Sequence, residues 1–508
     1  MCYFLRYRYL LAFILTFPIA GYSQVILPDI ISSHMVLKQK STVPLWGMEK
    51  PGQRVSVLTG WNKKRYEGVA DANGHWKVMV KTPPAGGPFQ ITFAGNDTLR
   101  LTDVLIGEVW ISSGQSNMAF RLRQDTQAKV KIPQADHPQI RLFRPAKVIS
   151  QVELNGFSNH QNKWEISSPQ TAGEFSAMTY YFAVELQKKL KVPVGVINVS
   201  WGGVSIESWM PEAALRSNPV LQNSVIRWKQ WTADYLVDSA KYKADSRNYA
   251  KTKQGAKPEL PQSMYMIRRP HRQYSVLYNG MTAPLTPFAL SGMLWYQGTS
   301  SVTWADEYEL QLNALIKSWR SAFMNSNLPV IIGQLTAYRY DDEAKAYQLR
   351  DAQLRQRDIN NVYVTSNMDL GELDNVHPAN KEPYGIRFAA MALNQVYGKK
   401  EVAAFSPSFK NIRAEGNQLI VSFEHSEGLH IKGGAMEEVY IAGSDGKFFK
   451  GEATISNGEL IATSPSIAHP KQIRYLFYNT AHAQLYNGND LPAFPFAVSL
   501  PSNETIRR

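Results

Sequence analysis

The feature that most constrains the fold is a repeated alternation of amphipathic helices and short apolar strands in the middle of the chain. The segment 176–190 carries apolar residues at four-residue spacing, including Met178, Phe182 and Leu186, which predicts a helix. The run 194–199 follows it and is almost wholly apolar, as is typical of a strand covered on both faces. The same order recurs at 308–323 then 330–332, and at 346–357 then 362–364. The pattern predicts an α/β fold, with a parallel sheet between two layers of helices.

Both ends of the chain have a different pattern, in which short alternating strands are separated by turn residues. Turn signals include Asn73-Gly74 near the start and Asn457-Gly458 near the end. We therefore predict an N-terminal β domain at 24–103, a central domain at 104–400 with an insertion at about 215–275, and a C-terminal β domain at 401–508. The sequence leaves open whether the two terminal regions pack together.

The first 23 residues have the features of a signal peptide. Arg6 and Arg8 precede a short apolar run, and the small residues Gly21 and Ser23 follow it, where a signal peptidase would cleave. We expect export to the periplasm or the extracellular space, a mature chain that starts near Gln24, and no stable membrane insertion after cleavage. An uncleaved anchor is the alternative. The single cysteine, Cys2, lies in this segment, so the mature chain would have no disulfide, thiol nucleophile or thiolate metal site.

A serine lies where the first strand of the central region ends. The run Val109-Trp110-Ile111 is apolar, and a short polar turn after it contains Ser116. A serine at the end of a strand is presented at the surface of the sheet, where it can act as a nucleophile. The alternative is a structural one, since serine is also a preferred N-cap of a helix.

Far downstream, Asp374 and His377 lie on one short loop that follows another predicted strand. A serine hydroxyl needs a base to accept its proton, and the base needs an acid that holds its tautomer. Histidine fits the role of base because its pKa is near neutrality. Ligands bind outside the carboxyl ends of strands in such sheets, so Ser116 and this loop should meet at one edge. The combination suggests a Ser-His-Asp triad, although a histidine satisfied within a loop remains the alternative.

Four ordered blocks of the sequence resemble the SGNH-hydrolase superfamily and, more narrowly, its sialate O-acetylesterase family. The blocks are Gly-Gln-Ser-Asn-Met from Gly114, Gly-Gly-Val-Ser from Gly202, Trp-Tyr-Gln-Gly from Trp295 and Asp-x-x-His-Pro from Asp374. The resemblance implies a flavodoxin-like parallel sheet with β-sandwich-like regions at both ends. It also implies a serine esterase that acts through an acyl-enzyme on an acetylated carbohydrate, with Ser116, His377 and Asp374 as its triad and without a metal or other cofactor.

The resemblance also suggests which groups stabilise the negative oxygen of the tetrahedral intermediate. It matches Gly203 to the family's oxyanion glycine, and the backbone N–H of Ser116 and the side chain of Gln297 would complete the oxyanion hole. A plain turn at Gly203 and a loop-stabilising Gln297 are the alternatives. The chain departs from the family in having Thr299 where a glutamate is usual and Asn375 where many relatives have an acid.

The basic run that contains Arg268 and Arg269 is a candidate for recognition of a sugar carboxylate. Arginine binds carboxylates with two parallel hydrogen bonds; a solvated surface or an ion pair is the alternative. The net charge of +13 favours anionic partners, but no basic block with interleaved aromatic residues indicates nucleic-acid binding. The expected substrate is O-acetylated sialic acid; acetylated xylan or another polysaccharide is the first alternative, and a non-catalytic carbohydrate-binding role is the second. The sequence does not determine the oligomeric state.

Overall fold

The computed structural model describes residues 25–157, 162–342 and 344–501; the predicted signal peptide at 1–23 lies outside them. In these ranges the strands are β1 (Val36–Lys38), β2 (Thr42–Met48), β3 (Arg54–Thr59), β4 (Arg65–Val69), β5 (His75–Lys81), β6 (Gly86–Ala94), β7 (Thr98–Gly114), β8 (His137–Phe143), β9 (Trp164–Ser167), β10 (Val194–Ser200), β11 (Gly292–Tyr296), β12 (Val330–Gly333), β13 (Val362–Thr365), β14 (Ser408–Glu415), β15 (Gln418–Glu424), β16 (His430–Ile431), β17 (Val439–Ala442), β18 (Phe448–Lys450), β19 (Glu452–Ser456), β20 (Glu459–Thr463), β21 (Gln472–Tyr475), β22 (Leu485–Tyr486) and β23 (Phe496–Ser499).

The α-helices are α1 (Ser116–Ala119), α2 (Ala128–Lys131), α3 (Ala177–Leu190), α4 (Glu212–Leu215), α5 (Pro219–Thr252), α6 (Gln262–Ile267), α7 (Ala305–Ala322), α8 (Lys345–Arg355) and α9 (Glu382–Gln395). Short 3₁₀ or π turns lie at Leu122–Gln124, Ala172–Glu174, Ile206–Trp209, Pro270–Arg272, Tyr278–Thr282, Ala283–Leu285, Thr299–Trp304 and Gln356–Asp358. Within the described ranges, no helix combines the length and the apolar character needed to span a membrane.

The central sheet has the strand order β13-β12-β11-β7-β10-β8-β9, in which every neighbouring pair is parallel except β8 with β9. The predicted parallel sheet of an α/β fold is therefore confirmed. After β7 the chain builds one side of the sheet and then crosses to the other. This reversal opens a crevice at the carboxyl end of β7, where sheets of this kind bind ligands.

Two layers of helices cover the sheet, and alternate residues of each strand enter different cores. On β7, Trp110 packs in the core that contains Phe182 of α3 and Phe388 of α9. The next residue, Ile111, belongs to the opposite core, together with Leu312 of α7 and Leu349 of α8. Strands that are buried on both faces need apolar side chains on both, which explains the continuous apolar runs in the sequence.

Two helices differ from the sequence predictions. The sequence predicts a helix over 224–242. Helix α5 is longer, because the Asn218 side chain caps its start and the chain stays helical until Lys253 takes a left-handed conformation. Helical spacing over 381–396 predicts that Ile386 is buried. This prediction is wrong, since Ile386 in α9 is 44% exposed. The helix instead turns Tyr384 and Phe388 inward, where they fill the core beside α3.

The N-terminal β region and the central sheet share strand β7. Its first half pairs with β1 and β6, and its second half pairs with β10 and β11. The predicted division between residues 103 and 104 therefore falls inside one continuous strand. As a result, the N-terminal strands are attached rigidly to the strand that ends beside Ser116.

The C-terminal strands form two four-stranded sheets, β14-β15-β20-β19 and β18-β17-β21-β23, and the pair β16-β22. They have an apolar core of their own that includes Val421, Leu460 and Ile473. The buried Arg350 of α8 links this region to the central one, because its guanidinium donates hydrogen bonds to the carbonyl oxygens of Thr336 and Asn479.

Candidate active site

Ser116 is the first residue of α1, directly beyond the carboxyl end of β7. The N-cap of α1 is Gln115, so Ser116 itself does not cap the helix. The Gln115 side-chain oxygen accepts hydrogen bonds from the backbone N–H groups of Gly298 (3.1 Å) and Ser300 (3.3 Å). This fixes the turn against the loop after β11. Ser116 is half-buried, and among the described residues no hydrogen bond engages its hydroxyl.

A cavity of about 770 Å³ opens beside Ser116, and its wall includes His377, Gly202, Asn198 and Ser200. Ser116 follows β7, Gly202 follows β10 and His377 follows β13, while Asn198 and Ser200 lie at the end of β10. The carboxyl edge of the sheet therefore brings them together. The cavity is large enough for a sugar with a substituent. The predicted meeting of the serine and histidine segments at one edge of the sheet is therefore present in the structure.

His377 is half-buried, on the loop between β13 and α9. The Asn375 side-chain oxygen accepts a hydrogen bond from the His377 backbone N–H at 3.0 Å, and the Asn117 amide donates to the Val376 carbonyl at 2.9 Å. Burial, followed by the nearby positive charge of Lys381, lowers the pKa of His377 below its ordinary value. Both effects favour the neutral imidazole, which is the form that accepts a proton.

Asp374 lies on the same loop, but its carboxylate points away from the cavity. It is 84% exposed, and one of its oxygens is 3.2 Å from the Arg339 Nε. Within the part of the chain that the structure describes, no carboxylate is hydrogen-bonded to the His377 ring. The structure thus brings Ser116 and His377 to one cavity but does not bring Asp374 to the histidine.

The loop after β10 passes directly beside the serine. A side chain at Gly202 would come within 3.3 Å of the Ser116 Cβ, so glycine allows this close approach. Gly203 has a φ of +72°, which favours glycine, and the Arg272 Nη2 lies 2.8 Å from where its Cβ would be. The predicted oxyanion glycine therefore adopts a backbone conformation that few other residues can take, with a guanidinium against it.

Gln297 is 1% exposed and is engaged within its own loop. Its amide nitrogen donates to the Val204 carbonyl at 3.2 Å and to the Ser301 hydroxyl at 2.9 Å, and its oxygen accepts from the Tyr308 hydroxyl at 2.7 Å. Both amide hydrogens therefore have acceptors inside the protein. The structure places this side chain behind the cavity wall, where it supports the loop.

Arg268 and Arg269 do not line the cavity. Arg268 is exposed at the end of α6, and Arg269 donates to the Tyr265 carbonyl at 2.8 Å, with its guanidinium 4.0 Å from the Tyr265 ring centre. Within the same basic run, it is Arg272 that reaches the site, where it contacts Gly203. The predicted arginine pair therefore lies away from Ser116.

Four other basic side chains line the cavity: Arg121, Arg123, Arg144 and Lys147. Glu174 forms ion pairs with the first two, at 2.8 and 2.9 Å. Among the described residues, Arg144 and Lys147 have no carboxylate partner. Burial, and then repulsion from Arg121 and Arg144, lowers the pKa of Lys147. This wall therefore has an excess of positive charge.

Comparisons with known proteins identify the family of the chain. The model of a family described as carbohydrate esterase, sialic acid-specific acetylesterase, matches residues 106–240 and 262–394, which together exceed half of the chain. The chain belongs to this carbohydrate esterase family. It is thus a carboxylic ester hydrolase, and carbohydrate acetylesterase activity fits its position in the family.

Individual relatives match most of this carbohydrate esterase. It is 26% identical to the sialate O-acetylesterase of Mus musculus over 441 residues, which is 79% of each chain. It is 25% identical to the sialate O-acetylesterase of Homo sapiens over 438 residues, or 79% of this chain and 77% of that one. A solved carbohydrate acetylesterase from Xanthomonas citri has a TM-score of 0.79 and 28% identity, covering 94% of this chain and all of that one.

The residues of the esterase that contribute to the site but are absent from the sequence predictions include Arg144, Lys147 and Lys381. Arg144 and Lys147 follow β8, just as the predicted site residues follow their own strands. The sequence does not predict β8 as a strand, so the polar loop after it does not indicate a site. Lys381 is 0% exposed and donates to the Asn117 side-chain oxygen at 2.6 Å. Nothing in the sequence distinguishes it from a surface lysine. In the described ranges, no three His, Cys, Asp or Glu side chains are grouped so that they could hold a metal ion.

Proposed function

We propose that the protein is a serine esterase that removes O-acetyl groups from carbohydrate, with O-acetylated sialic acid as its preferred substrate. Ser116 is the nucleophile and His377 is the base. The observation that carries the proposal is that these two side chains line one cavity beside Gly202, at the carboxyl edge of a parallel sheet. Acyl transfer requires a hydroxyl and a neutral imidazole that can accept its proton, and among the described residues no other group is hydrogen-bonded to the Ser116 hydroxyl.

The reaction has two halves. His377 accepts the proton of Ser116 as the Oγ attacks the acetyl carbonyl, and the resulting oxyanion is stabilised by the N–H groups of Ser116 and Gly203. The intermediate collapses to an acetyl-serine when the sugar oxygen leaves with the proton from His377. Water, deprotonated by His377, then attacks the acetyl-serine, and acetate leaves as the hydroxyl of Ser116 regains its proton.

Two further roles belong to the proposal as predictions. Asp374 would act as the orienting acid if its carboxylate exchanged Arg339 for the His377 ring. Gln297 would act as an oxyanion donor only if its amide released Val204 or Ser301. Each role requires a side chain to leave hydrogen bonds that it makes in the structure.

The charge of the cavity wall favours an anionic sugar over a neutral polysaccharide. Arg144 and Lys147 face the cavity without a counter-ion among the described residues, and a carboxylate on the substrate would supply one. Hydrogen bonds to charged groups contribute about 1.5–3 kcal/mol each. Acetylated xylan without acidic substituents would leave these two cations unpaired.

One experiment tests the reaction and the substrate together. Acetate release is measured from O-acetylated sialic acid and from acetylated xylan, for the parent enzyme and for Ser116→Ala. The parent should release acetate faster from the sialate ester, and Ser116→Ala should abolish release from both. Sugar binding without turnover by the parent would contradict the proposal and support a carbohydrate-binding role. The unpaired His377 ring is the observation that favours this second candidate.

The basic wall is tested by the double variant Arg144→Ala/Lys147→Ala. Its KM for a sialate ester should rise about 10- to 100-fold, which is the effect of losing about one charge-assisted contact. Its KM for p-nitrophenyl acetate, which is neutral, should stay at the parent value. Arg268→Ala/Arg269→Ala removes the same charge outside the cavity and is the matched control. A rise in KM in the control variant alone would support the arginine run instead.

We also propose that the enzyme acts in the periplasm or outside the cell after removal of residues 1–23. Support comes from the sequence pattern alone. Mass spectrometry of the protein recovered from its native compartment should give a chain that begins near Gln24. A cytoplasmic protein that retains Arg6 and Arg8 would contradict this localisation.

A further inference from the structure

One side-chain amide connects the nucleophile segment with the histidine loop. Asn117 follows Ser116 in the chain, and its Nδ2 donates a hydrogen bond to the carbonyl oxygen of Val376, the residue before His377, at 2.9 Å. The Asn117 Oδ1 accepts a hydrogen bond from the Lys381 Nζ at 2.6 Å. The amide is thus fixed at both ends, and its orientation depends on the lysine.

Lys381 is an unusual residue for a purely structural position. Its side chain is fully buried, and the acceptor of its ammonium group is the neutral amide of Asn117. The Nζ lies 4.8 Å from the Phe120 ring centre and 5.2 Å from that of Tyr384. Within the described ranges it forms no ion pair with a carboxylate. A buried cation is costly without a partner, so a methionine of similar length would be the more stable choice if only packing mattered.

We propose that Lys381 is a positioning residue for the catalytic histidine: through Asn117 it holds the Val376 carbonyl, and thereby His377, against the segment that carries Ser116. The inference rests on the proposed roles of Ser116 and His377. It also explains how the histidine can keep its place while Asp374 faces solvent. A backbone clamp on the loop would position the histidine, which is one of the roles that an acid on the ring has.

The charged and titratable groups around the ammonium group are few. Asp125 accepts a hydrogen bond from the Lys381 backbone N–H at 2.8 Å, and Glu372 lies on the histidine loop. Tyr181 donates a hydrogen bond to the same Asp125 at 3.0 Å, and His377 and the ring of Tyr384 also lie close to the lysine. Burial outweighs the two carboxylates and lowers the pKa of Lys381 to about 7. Below that pH the lysine is protonated, and its charge disfavours the imidazolium form of His377.

Two variants separate the clamp from simple packing. Lys381→Met removes the donor and the charge but keeps the volume. Asn117→Asp keeps the side-chain size and an acceptor for Lys381, but it replaces the donor to the Val376 carbonyl with a negatively charged oxygen. Each should lower kcat for p-nitrophenyl acetate by up to about 100-fold, the effect of a misplacement of about 1 Å, with KM changed little. Lys131→Met is the matched control, because it removes a neighbouring lysine that pairs with Glu382 at 2.6 Å and does not contact Asn117.

The pH dependence gives a readout that packing alone would not alter. In Lys381→Met the apparent pKa of the acid limb of kcat/KM should rise, because a positive charge near His377 is gone. The same rise should appear in an NMR titration of the labelled His377 ring, which needs no turnover. Parental kcat in both variants with an unmoved titration would overturn the clamp. An inactive parent enzyme would contradict the proposed function, and the NMR titration would still decide whether Lys381 acts on His377.

Discussion

The carboxylate of Asp374 lies 3.2 Å from the Arg339 Nε, on the solvent side of the loop that carries His377. Both side chains of this ion pair are well exposed, at 84% for Asp374 and 64% for Arg339. Exposed pairs of this kind contribute at most about 1 kcal/mol to stability. The structure therefore separates the loop's acid from its base.

Asp374→Asn is expected to lower kcat less than about 10-fold. An acid that holds the tautomer of a catalytic histidine contributes about 10⁴-fold in a serine protease, whereas an exposed carboxylate paired with Arg339 has no such effect. Steady-state kinetics with p-nitrophenyl acetate measure the change. Arg339→Ala is the matched control, because it removes the other half of the same ion pair.

A fall of about 10³-fold or more in Asp374→Asn would show that the carboxylate turns toward His377 during the reaction. In that case Arg339→Ala should raise activity, because it would free the acid. Equal activity in the parent and both variants would mean that backbone contacts, and not Asp374, position the histidine loop.

The acid limb of the kcat/KM profile should lie below the ordinary histidine pKa of 6.5. Burial and the positive charge of Lys381 both favour neutral imidazole, so the base form persists at a lower pH. The free enzyme's profile with a neutral acetyl ester reports this value directly. An acid limb above 6.5 would contradict the structure, because it would require a carboxylate close to the ring.

Gly203→Ala should lower kcat about 10- to 100-fold if the Gly203 N–H stabilises the oxyanion. A Cβ there would face a φ of +72° and the Arg272 Nη2 at 2.8 Å, so the loop must shift. Gly255→Ala is the matched control. Gly255 has a similar φ of +80°, but no atom lies within 4 Å of its Cβ position.

Both alanine variants should lose about 1 kcal/mol of stability through backbone strain, and only Gly203→Ala should lose activity. Thermal unfolding and steady-state kinetics on the two proteins measure these effects. Unchanged kcat in Gly203→Ala would remove this glycine from the oxyanion hole.

The strand ends were predictable from the sequence, and with them the meeting of Ser116 and His377. Continuous apolar runs mark buried parallel strands, and parallel strands present their carboxyl ends at one edge. Local pattern is enough for this step, because each element carries its own signal. The face of α9 was less predictable, because Ile386 and Phe388 are both apolar and only the fit against α3 decides which one is buried.

Side-chain partners from distant segments were not predictable. Gln297 has the chemistry of an oxyanion donor, but Val204 and Ser301 already take its two amide hydrogens. Lys381 has the sequence character of a surface residue, yet it is buried against Asn117, 264 positions away in the chain. Which acceptor a long polar side chain finds depends on the assembled structure, so the sequence leaves several choices open.

Arg350→Met should strongly destabilise the junction between the central and C-terminal regions. Arg350 is fully buried, and its guanidinium donates to the carbonyl oxygens of Leu335, Thr336 and Asn479 at 3.0, 3.0 and 3.3 Å. Methionine would leave these acceptors without a partner, at about 1–3 kcal/mol each. We expect a total loss of about 3–5 kcal/mol, since packing relaxes in part and such effects are not additive.

Arg355→Met, on the same helix, is the matched control for that loss. Arg355 is 60% exposed and pairs with Asp351 at 2.8 Å, so its removal should cost less than about 1 kcal/mol. Chemical unfolding followed by far-UV circular dichroism, beside tryptophan fluorescence, compares the two variants, because residues 401–508 contain no tryptophan. Equal stability losses would mean that the carbonyl groups around Arg350 find water or other donors. Separate unfolding of the C-terminal sheets in Arg350→Met alone would identify this guanidinium as the link that makes the two regions unfold together.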